Sequence, residues 1–399
     1  MDFTTGEAET EAARLAAQII SAASPASTAD SAGQAGTVEL PDFDARLWKE
    51  LADAGLLSLA VPGHLGGDGL GVQATAAVLN QVGRHAARIP ALASLALGVL
   101  PVARCTDIPL QRRLLAGVAA GHTILTAAIR EPSDPMPESP ATTITAGTVS
   151  GVKIGVPYAA AASWILVPAS TPAGSVVVVV EPAADGLSCQ RTRSSSGLPE
   201  YTLRLDRTPV LATLDGCPAG VLSQLAVAGA CAAADGAIAA ALELTSRHVR
   251  DREQFGRPLA TFQAVAQQIA DVYAVARTLH LATASACWRL DTGREAAHDA
   301  DVAAYWLAEY GPAALRACHH LHGGLGMDIT YPLARYSSLM TDLVSLVGGA
   351  DARLDLLAQR EGQEAMGRDG THAAHRGAAG VPSRPMEAAV VPEPEGSGT

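Results

Sequence analysis

The sequence is poor in aromatic residues: Phe, Trp and Tyr make up 4% of its 399 residues, against 48% hydrophobic residues in all. Alanine and the branched aliphatics must therefore carry the core, which favours closely packed helices. The chain also lacks any Cys-x-x-Cys pair. Its six cysteines, Cys105, Cys189, Cys217, Cys231, Cys287 and Cys318, stand far apart and read as reduced thiols rather than a disulfide framework or a thiolate metal site. No long Lys/Arg run offsets a formal net charge of -12, so a nucleic-acid partner is not expected. The acidic N-terminus has no long apolar run and does not read as a secretory signal. The apolar stretch Ala91–Ala103 is too short and too interrupted to span a bilayer. A soluble, cytoplasmic protein is expected. No Gly-x-Gly-x-x-Gly follows a strand, so a Rossmann nucleotide site is not indicated.

What is present falls into three textures. From about Thr10 to Gly121 the pattern is helical, broken by a Ser/Ala/Gly-rich stretch at Ser21–Gly36 that reads as a loop. Leu47 and Leu51 predict a helix ending near Gly55, and Val61–Gly71, with five glycines, predicts a turn-rich connection. From about Ile124 to Val210, short β-branched runs alternate with Pro and Gly. Thr142–Thr148, Ile165–Pro168, Val176–Val180 and Tyr201–Leu205 are strand candidates, with a turn at Gly151, in a β-domain of six to eight strands. From about Leu222 to Arg360 long helical periods return. Ala226–Arg250 lacks proline, and Phe262, Val265, Ile269, Val272 and Leu279 recur on one helical face. Val302–Leu321 is helical with a break at Gly311-Pro312, and Leu343–Leu357 is a further helix. Residues 363–399 lose all periodicity and read as a disordered tail. Helices, then strands, then helices imply an α+β architecture rather than alternating βαβ units. The expected domains are residues 1–122 (helical), 123–215 (β), 216–362 (helical bundle) and the tail.

Two motifs carry chemistry. Arg252-Glu-Gln-Phe255-Gly256-Arg-Pro258 follows a long helix and precedes Phe262-Gln263. Gly and Pro force a turn, a new helix then begins with Thr261 as a candidate cap, and an arginine at the junction can grip an anion bidentately. On the residues alone, an exposed arginine at an ordinary turn fits as well. The second motif is His320-Leu-His-Gly323-Gly324-Leu-Gly-Met327, where paired glycines let a backbone approach a ligand closely. His319, His320 and His322 have no carboxylate or cysteine at ligand spacing, and no metal is expected.

The first motif resembles the signature of the acyl-CoA dehydrogenase family, and the second resembles that family's Q-x-x-G-G-x-G segment with His320 in place of glutamine. Leu47-Trp-Lys-Glu-Leu and Glu131-Pro-Ser-Asp-Pro are similar to the family's N-terminal helix and flavin loop. The resemblance covers roughly residues 40–360. It implies an N-terminal helical domain, a β-barrel-like middle domain and a C-terminal four-helix bundle. It also implies FAD as cofactor, held by Arg252, Phe255, Gln263, His320, Gly323 and Gly324 across a subunit interface, and an electron-accepting flavoprotein as partner.

The implied reaction removes an α-proton and a β-hydride from an acyl-CoA, and needs a carboxylate base. The family's usual glutamate position falls on Val347, which cannot take a proton. A second family location, Leu222–Cys231, holds no acid; Asp235 and Glu243 lie further along the same helix, Asp235 being the candidate for a relocated base. The family's W-I-T/S strand reads Val156-Pro-Tyr-Ala. Retention of the cross-interface motif and loss of the base resemble the non-catalytic subunits of actinobacterial α2β2 steroid side-chain acyl-CoA dehydrogenases. A self-sufficient homo-oligomer with a relocated base, or a non-enzymatic scaffold, remain the alternative readings.

Overall fold

The computed structural model describes residues 6–23, 42–132 and 134–362. The expected Ser/Ala/Gly-rich loop lies outside the described residues from Ser24 to Gly36, and so does the expected tail at 363–399. The helical N-terminal part comprises α1 (Glu7–Ala23), α2 (Ala45–Asp53) and α3 (Val72–Arg84). A π-helical segment, Leu92–Val99, runs into α4 (Leu100–Ala103), and α5 (Ile108–Leu115) follows. Asp44 caps α2 by accepting from Leu47 N–H, and Asp107 caps α5 by accepting from Leu110 N–H. As expected from Leu47 and Leu51, α2 buries both leucines and closes before Gly55, whose φ of 79° suits glycine.

Eight strands form the middle sheet: β1 (Leu125–Ala127), β2 (Thr143–Thr145), β3 (Thr148–Pro157), β4 (Trp164–Thr171), β5 (Gly174–Val180), β6 (Leu187–Arg193), β7 (Pro199–Pro209) and β8 (Ala212–Thr213). Their order is β6-β7-β3-β2-β4-β5-β8, with β1 parallel to β4. The candidate strand Thr142–Thr148 is instead a hairpin, because Ala146 and Gly147 both take positive φ (50° and 77°) and turn β2 into β3. Gly151 does not turn the chain; it sits at a register shift inside β3, opposite Leu205.

The C-terminal helices are α6 (Ala219–Asp251), α7 (Gln263–Asp291), α8 (Ala297–His322) and α9 (Leu333–Leu346), with residues 350–362 helical again. Between α6 and α7 lies a two-strand ribbon, β9 (Glu253–Gln254) and β10 (Arg257–Pro258). The unit that carries all that follows is Met1–Leu357. By length and composition α6 could cross a membrane, but 89% of its apolar window is buried, so it serves as the central core helix. Its small residues make that possible. A Cβ on Gly83 of α3 would collide with the Ala233 carbonyl of α6, and one on Gly236 of α6 with the Asn80 carbonyl of α3. The two backbones therefore touch along a seam that admits no side chain.

Two helical expectations change. Pro312 does not break α8, which runs unbroken through it. Packing holds the helix there: Gly311 is buried against Met340 of α9, close enough that a Cβ would lie 2.9 Å from its sulfur. Conversely, Leu343–Leu357 is not one helix. Gly348 and Gly349 take φ of 91° and 83° and end α9 at Leu346.

Candidate functional site: an outward-facing cradle and an inner cleft

The last turn of α6 leads into the first motif. Arg252 leaves the helix with extended geometry, its N–H still donating to the His248 carbonyl (2.9 Å) and its own carbonyl accepting from Leu259 N–H (2.9 Å). These bonds pin both ends of the β9–β10 ribbon. At its tip Phe255 and Gly256 both take positive φ (57° and 78°), the geometry of a tight primed turn. Phe255 is 89% exposed and meets Phe262 edge-on at 6.1 Å, while the Arg257 guanidinium lies 4.1 Å over Phe262. Arg252 and Gln263 are exposed. Thr261 does not cap α7: its hydroxyl donates to the Pro258 carbonyl, and Phe262 stands at the cap without a side-chain acceptor. The first N–H groups of α7, beside Gln263, thus remain available to an anion.

The second motif ends α8. Gly323 has φ of 58°, and a Cβ on Gly323 or Gly324 would meet nothing within 4 Å, so this backbone is open to solvent. Gly326 is the opposite case, buried beneath the His319 carbonyl. His319 braces the turn, with Nδ1 2.6 Å from the Gly326 carbonyl and Nε2 2.6 Å from Ser337 Oγ. His320 is exposed beside it. The buried His322 stacks on His248 (centroids 4.4 Å, planes 20° apart), its Nδ1 2.8 Å from the Cys318 carbonyl. His248 precedes Arg252 by one helical turn and His322 precedes Gly323 directly, so one ring stack joins the two motifs. Burial lowers both imidazoles, His248 further through Arg252 and His322 further through His248 and His319, against the raising bond to Cys318. Among the described residues no group of three or more His, Cys, Asp or Glu could hold a metal.

The inner site is different. A cleft of about 760 Å³, including its open mouth, is walled by Val82, Ile89, Leu92, Leu198, Leu343 and Leu346, with Arg130, Tyr158, Ser194, Glu200 and Asp342 as its polar lining. Next to Arg130 in the chain lies a buried ion pair. Glu131 accepts from Lys153 Nζ (2.8 Å) and from the N–H groups of Ala141 (2.7 Å) and Thr142 (3.0 Å). Burial alone would raise Glu131, but the bonds from Lys153 and Thr142 outweigh it and hold the carboxyl below its usual value. Arg130 immediately precedes Glu131, and its guanidinium lies over Gly155 so closely that a Cβ there would collide with Nη1. Burial lowers Arg130, opposed by Glu200 and Asp342; burial raises Glu200, opposed by Arg130. Asp342 accepts from Ser195 N–H (2.7 Å), Ser196 N–H (3.0 Å) and the Ser196 hydroxyl. Tyr158, at positive φ (54°), replaces the strand residue expected to meet a flavin ring.

Val347 is fully buried, and its carbonyl accepts from Arg353 Nε at 2.6 Å. Arg353 also donates to Asp301 (2.7 Å) and approaches the Met136 sulfur (2.6 Å). Asp235 and Glu243 do not line the cleft. Asp235 accepts from Asn80 Nδ2 and faces His280 Nδ1, both at 2.9 Å, tying α3, α6 and α7 together. Glu243 pairs with Arg84 and Arg247 at the surface. Of the polar groups that do line the cleft, Arg130, Ser194, Glu200 and Asp342 have no motif of their own; the position of Arg130, next to Glu131-Pro132, and Tyr158 in Val156-Pro-Tyr-Ala hinted at it.

Known proteins share this frame. Residues 8–122 match the acyl-CoA dehydrogenase N-terminal domain and residues 222–360 the acyl-CoA dehydrogenase C-terminal domain. Acyl-CoA dehydrogenase FadE28 of Mycobacterium tuberculosis is 46% identical over 315 residues, covering 78% of this chain and 91% of that protein. The chain belongs to the acyl-CoA dehydrogenase family. Among solved structures, a variant of the steroid acyl-CoA dehydrogenase Tcur3481–Tcur3483 superposes with a TM-score of 0.84 at 33% identity, covering 91% of this chain and 100% of that one. The ChsE4–ChsE5 complex of Mycobacterium tuberculosis gives 0.82 at 32% identity, covering 91% and 99%. The expected fold, helical, then β, then helical, is thus the family's.

Tested against FAD, the two sites give opposite results. The outer cradle fits the nucleotide half: an exposed guanidinium, an amide, an uncapped helix start and open glycine backbone suit phosphate and sugar oxygens. The inner cleft does not fit the isoalloxazine ring. The half-buried Arg130 guanidinium lies over Gly155, and the carboxylates of Glu200 and Asp342 face it.

Proposed function

We propose that this chain is a subunit of a heteromeric FAD-dependent acyl-CoA dehydrogenase that introduces an α,β double bond into an acyl-CoA, a steroid side-chain CoA ester being the substrate class. In this reading it contributes to a composite FAD site while a homologous partner, in an α2β2 assembly, supplies the base. The observation that carries the reading is the contrast at Val347: the base position is apolar and tied to Arg353, while the cradle at Arg252 and Gly323-Gly324 is intact and faces outward. The steroid class and the paired assembly rest on the names of the Tcur3481–Tcur3483 and ChsE4–ChsE5 relatives.

When bound, the flavin accepts the β-hydride and passes its electrons to an electron-transferring flavoprotein. This chain's own part is positional. Arg252 would pair with the pyrophosphate, Gln263 with the adenine half, and Gly323 and Gly324 would let the backbone lie against the adenosine beside His320. Phe255, exposed at the ribbon tip, would seat on the partner. The experiment is expression alone and with the homologous partner, followed by flavin absorbance per chain and dehydrogenase activity. The expected result is a colourless, inactive chain alone and a yellow, active complex that loses FAD on Arg252→Ala. A yellow, active homo-oligomer would overturn the reading and favour a self-sufficient enzyme. A complex without flavin would favour the scaffold alternative.

A further inference from the structure

The ring stack beneath the cradle joins two parts of it that lie on different helices. α6 packs on α8, and the contact climbs toward the cradle in steps of one turn. At the first step the Cys318 thiol meets the Thr245 hydroxyl, and both residues are buried. At the second, His248 and His322 lie face to face, centroids 4.4 Å apart. Beyond it on α6, Arg252 N–H is held by the His248 carbonyl at 2.9 Å; on α8, Gly323 follows His322 directly. The spacing between Arg252 and the open Gly323-Gly324 backbone is therefore set by whether the two rings stay together.

The tautomer of His322 makes that contact sensitive to protons. Its Nδ1 lies 2.8 Å from the Cys318 carbonyl, which can only accept, so Nδ1 carries the hydrogen. Nε2 is then the basic nitrogen. It is shielded from solvent and has no hydrogen-bond partner among the described residues. A proton arriving there would make a buried cation with an unmet N–H, pressed against a second imidazole. His322 is faced by His248 from α6, by His319 on its own helix and by Tyr331, near which Arg247 lies. His248 is faced by Arg252 and Asp251. Among the described residues Asp251 is the only carboxylate that acts on either ring, and Arg252 counters it. Burial, the largest influence on both imidazoles, also favours the neutral form. Opening the stack admits the proton, because water then solvates the charge. We infer that the His248–His322 stack is a proton-operated clasp on the FAD cradle: it is closed while His322 is neutral, and it parts when Nε2 is protonated and releases the nucleotide half of the flavin. Both histidines are positioning residues and touch no part of the ligand. The clasp rests on the composite-flavin reading and adds regulation to it.

The test equilibrates the complex of this chain and its homologous partner with FAD between about pH 7.5 and 5.5. The Kd is read from flavin fluorescence, and the thermal midpoint is taken at each pH. The open stack binds a proton that the closed stack refuses, so FAD affinity falls with pH below the ordinary imidazole value of about 6.5. One proton gives a Kd about tenfold higher at the acid end, in a complex that is still folded. His322→Phe keeps a flat ring without a basic nitrogen; it should bind FAD within about threefold of the parent at the upper pH and lose the pH dependence. His248→Ala should weaken FAD by about threefold or more at every pH, and His248→Phe should restore it. His280→Gln, which removes a titrating ring outside the stack, should keep the pH dependence. Carbon-13 labelling of the histidine rings in the unaltered complex gives a reading that needs no variant: the His322 signal should move over the range in which flavin is lost. A Kd that stays flat with pH would overturn the clasp. So would His322 titrating while flavin stays bound, or a pH dependence that survives His322→Phe and so belongs to exposed groups such as His320. In each of these cases release of flavin by Arg252→Ala would leave the composite-flavin reading standing. A complex without flavin at the upper pH would overturn both.

Discussion

The cradle and the cleft were built by opposite rules. In the cradle the working groups are exposed, few of them bond to one another, and a ring stack beneath them supplies rigidity. Around the cleft Arg130, Glu200 and Asp342 are half-buried, Asp342 held by three donors, and Glu131, next to Arg130 in the chain, forms a fully buried ion pair with Lys153. Exposed groups cost little to keep in readiness for a ligand; buried charges are kept only if the fold depends on them. Mutations should therefore separate the two regions cleanly, through stability inside and ligand content outside.

The largest effect is expected inside. Lys153→Met leaves the Glu131 carboxylate buried without its counter-charge and should cost on the order of 3–5 kcal/mol, read from denaturant midpoints. Adding Glu131→Gln should recover much of that loss; if it does not, the pair acts through packing alone. Next, Arg252→Ala should lower FAD affinity of the complex by about tenfold or more at an unchanged melting temperature, because the removed side chain is exposed. A fall in stability instead would place Arg252 in the frame rather than the cradle.

Third, Val347→Glu should not restore activity to the chain alone, since Arg130 still lies over Gly155; turnover by that variant would mean the cleft accepts a flavin after all. The smallest effect concerns pH. His248 and His322 are lowered by burial, so the unfolded chain binds protons that the folded chain refuses. Stability should thus fall as pH drops below about 6.5. His280 works the other way. Its bond to Asp235 raises it, so its contribution is present at low pH and fades as pH rises through its folded value. His280→Ala should make the acid loss steeper and His248→Gln shallower, in thermal melts between about pH 5 and 8. Loss of flavin from the complex over that acid range, before unfolding, would show that the stack positions the cradle.

Much of the frame was legible in the residues. The proline-free alanine run predicted α6, and the apolar and β-branched runs placed three strands, β4, β5 and β7, because both signals are local. What failed was also local in origin but decided at a distance. Pro312 looked like a break, yet packing against α9 carries the helix through it, while the apolar period across Leu343–Leu357 hid the stop at Gly348-Gly349. The cradle could be read because a turn and a glycine pair leave fixed spacings. The cleft could not: Val82, Arg130, Glu200 and Leu343 come from separate segments, and no period links them.

The glycine seam between α3 and α6 bears on how such a chain can change over time. Where two backbones touch, almost no substitution is neutral, so that part of the molecule is frozen whatever the chain does for a living. The cleft shares that seam on one side, through Gly83 and Ala233, while its other walls carry full side chains such as Val82, Arg130 and Glu200. A duplicated gene would thus drift fastest in its chemistry and slowest in its skeleton. A chain whose chemistry had drifted in this way would still look, from outside, like a sibling whose chemistry had not.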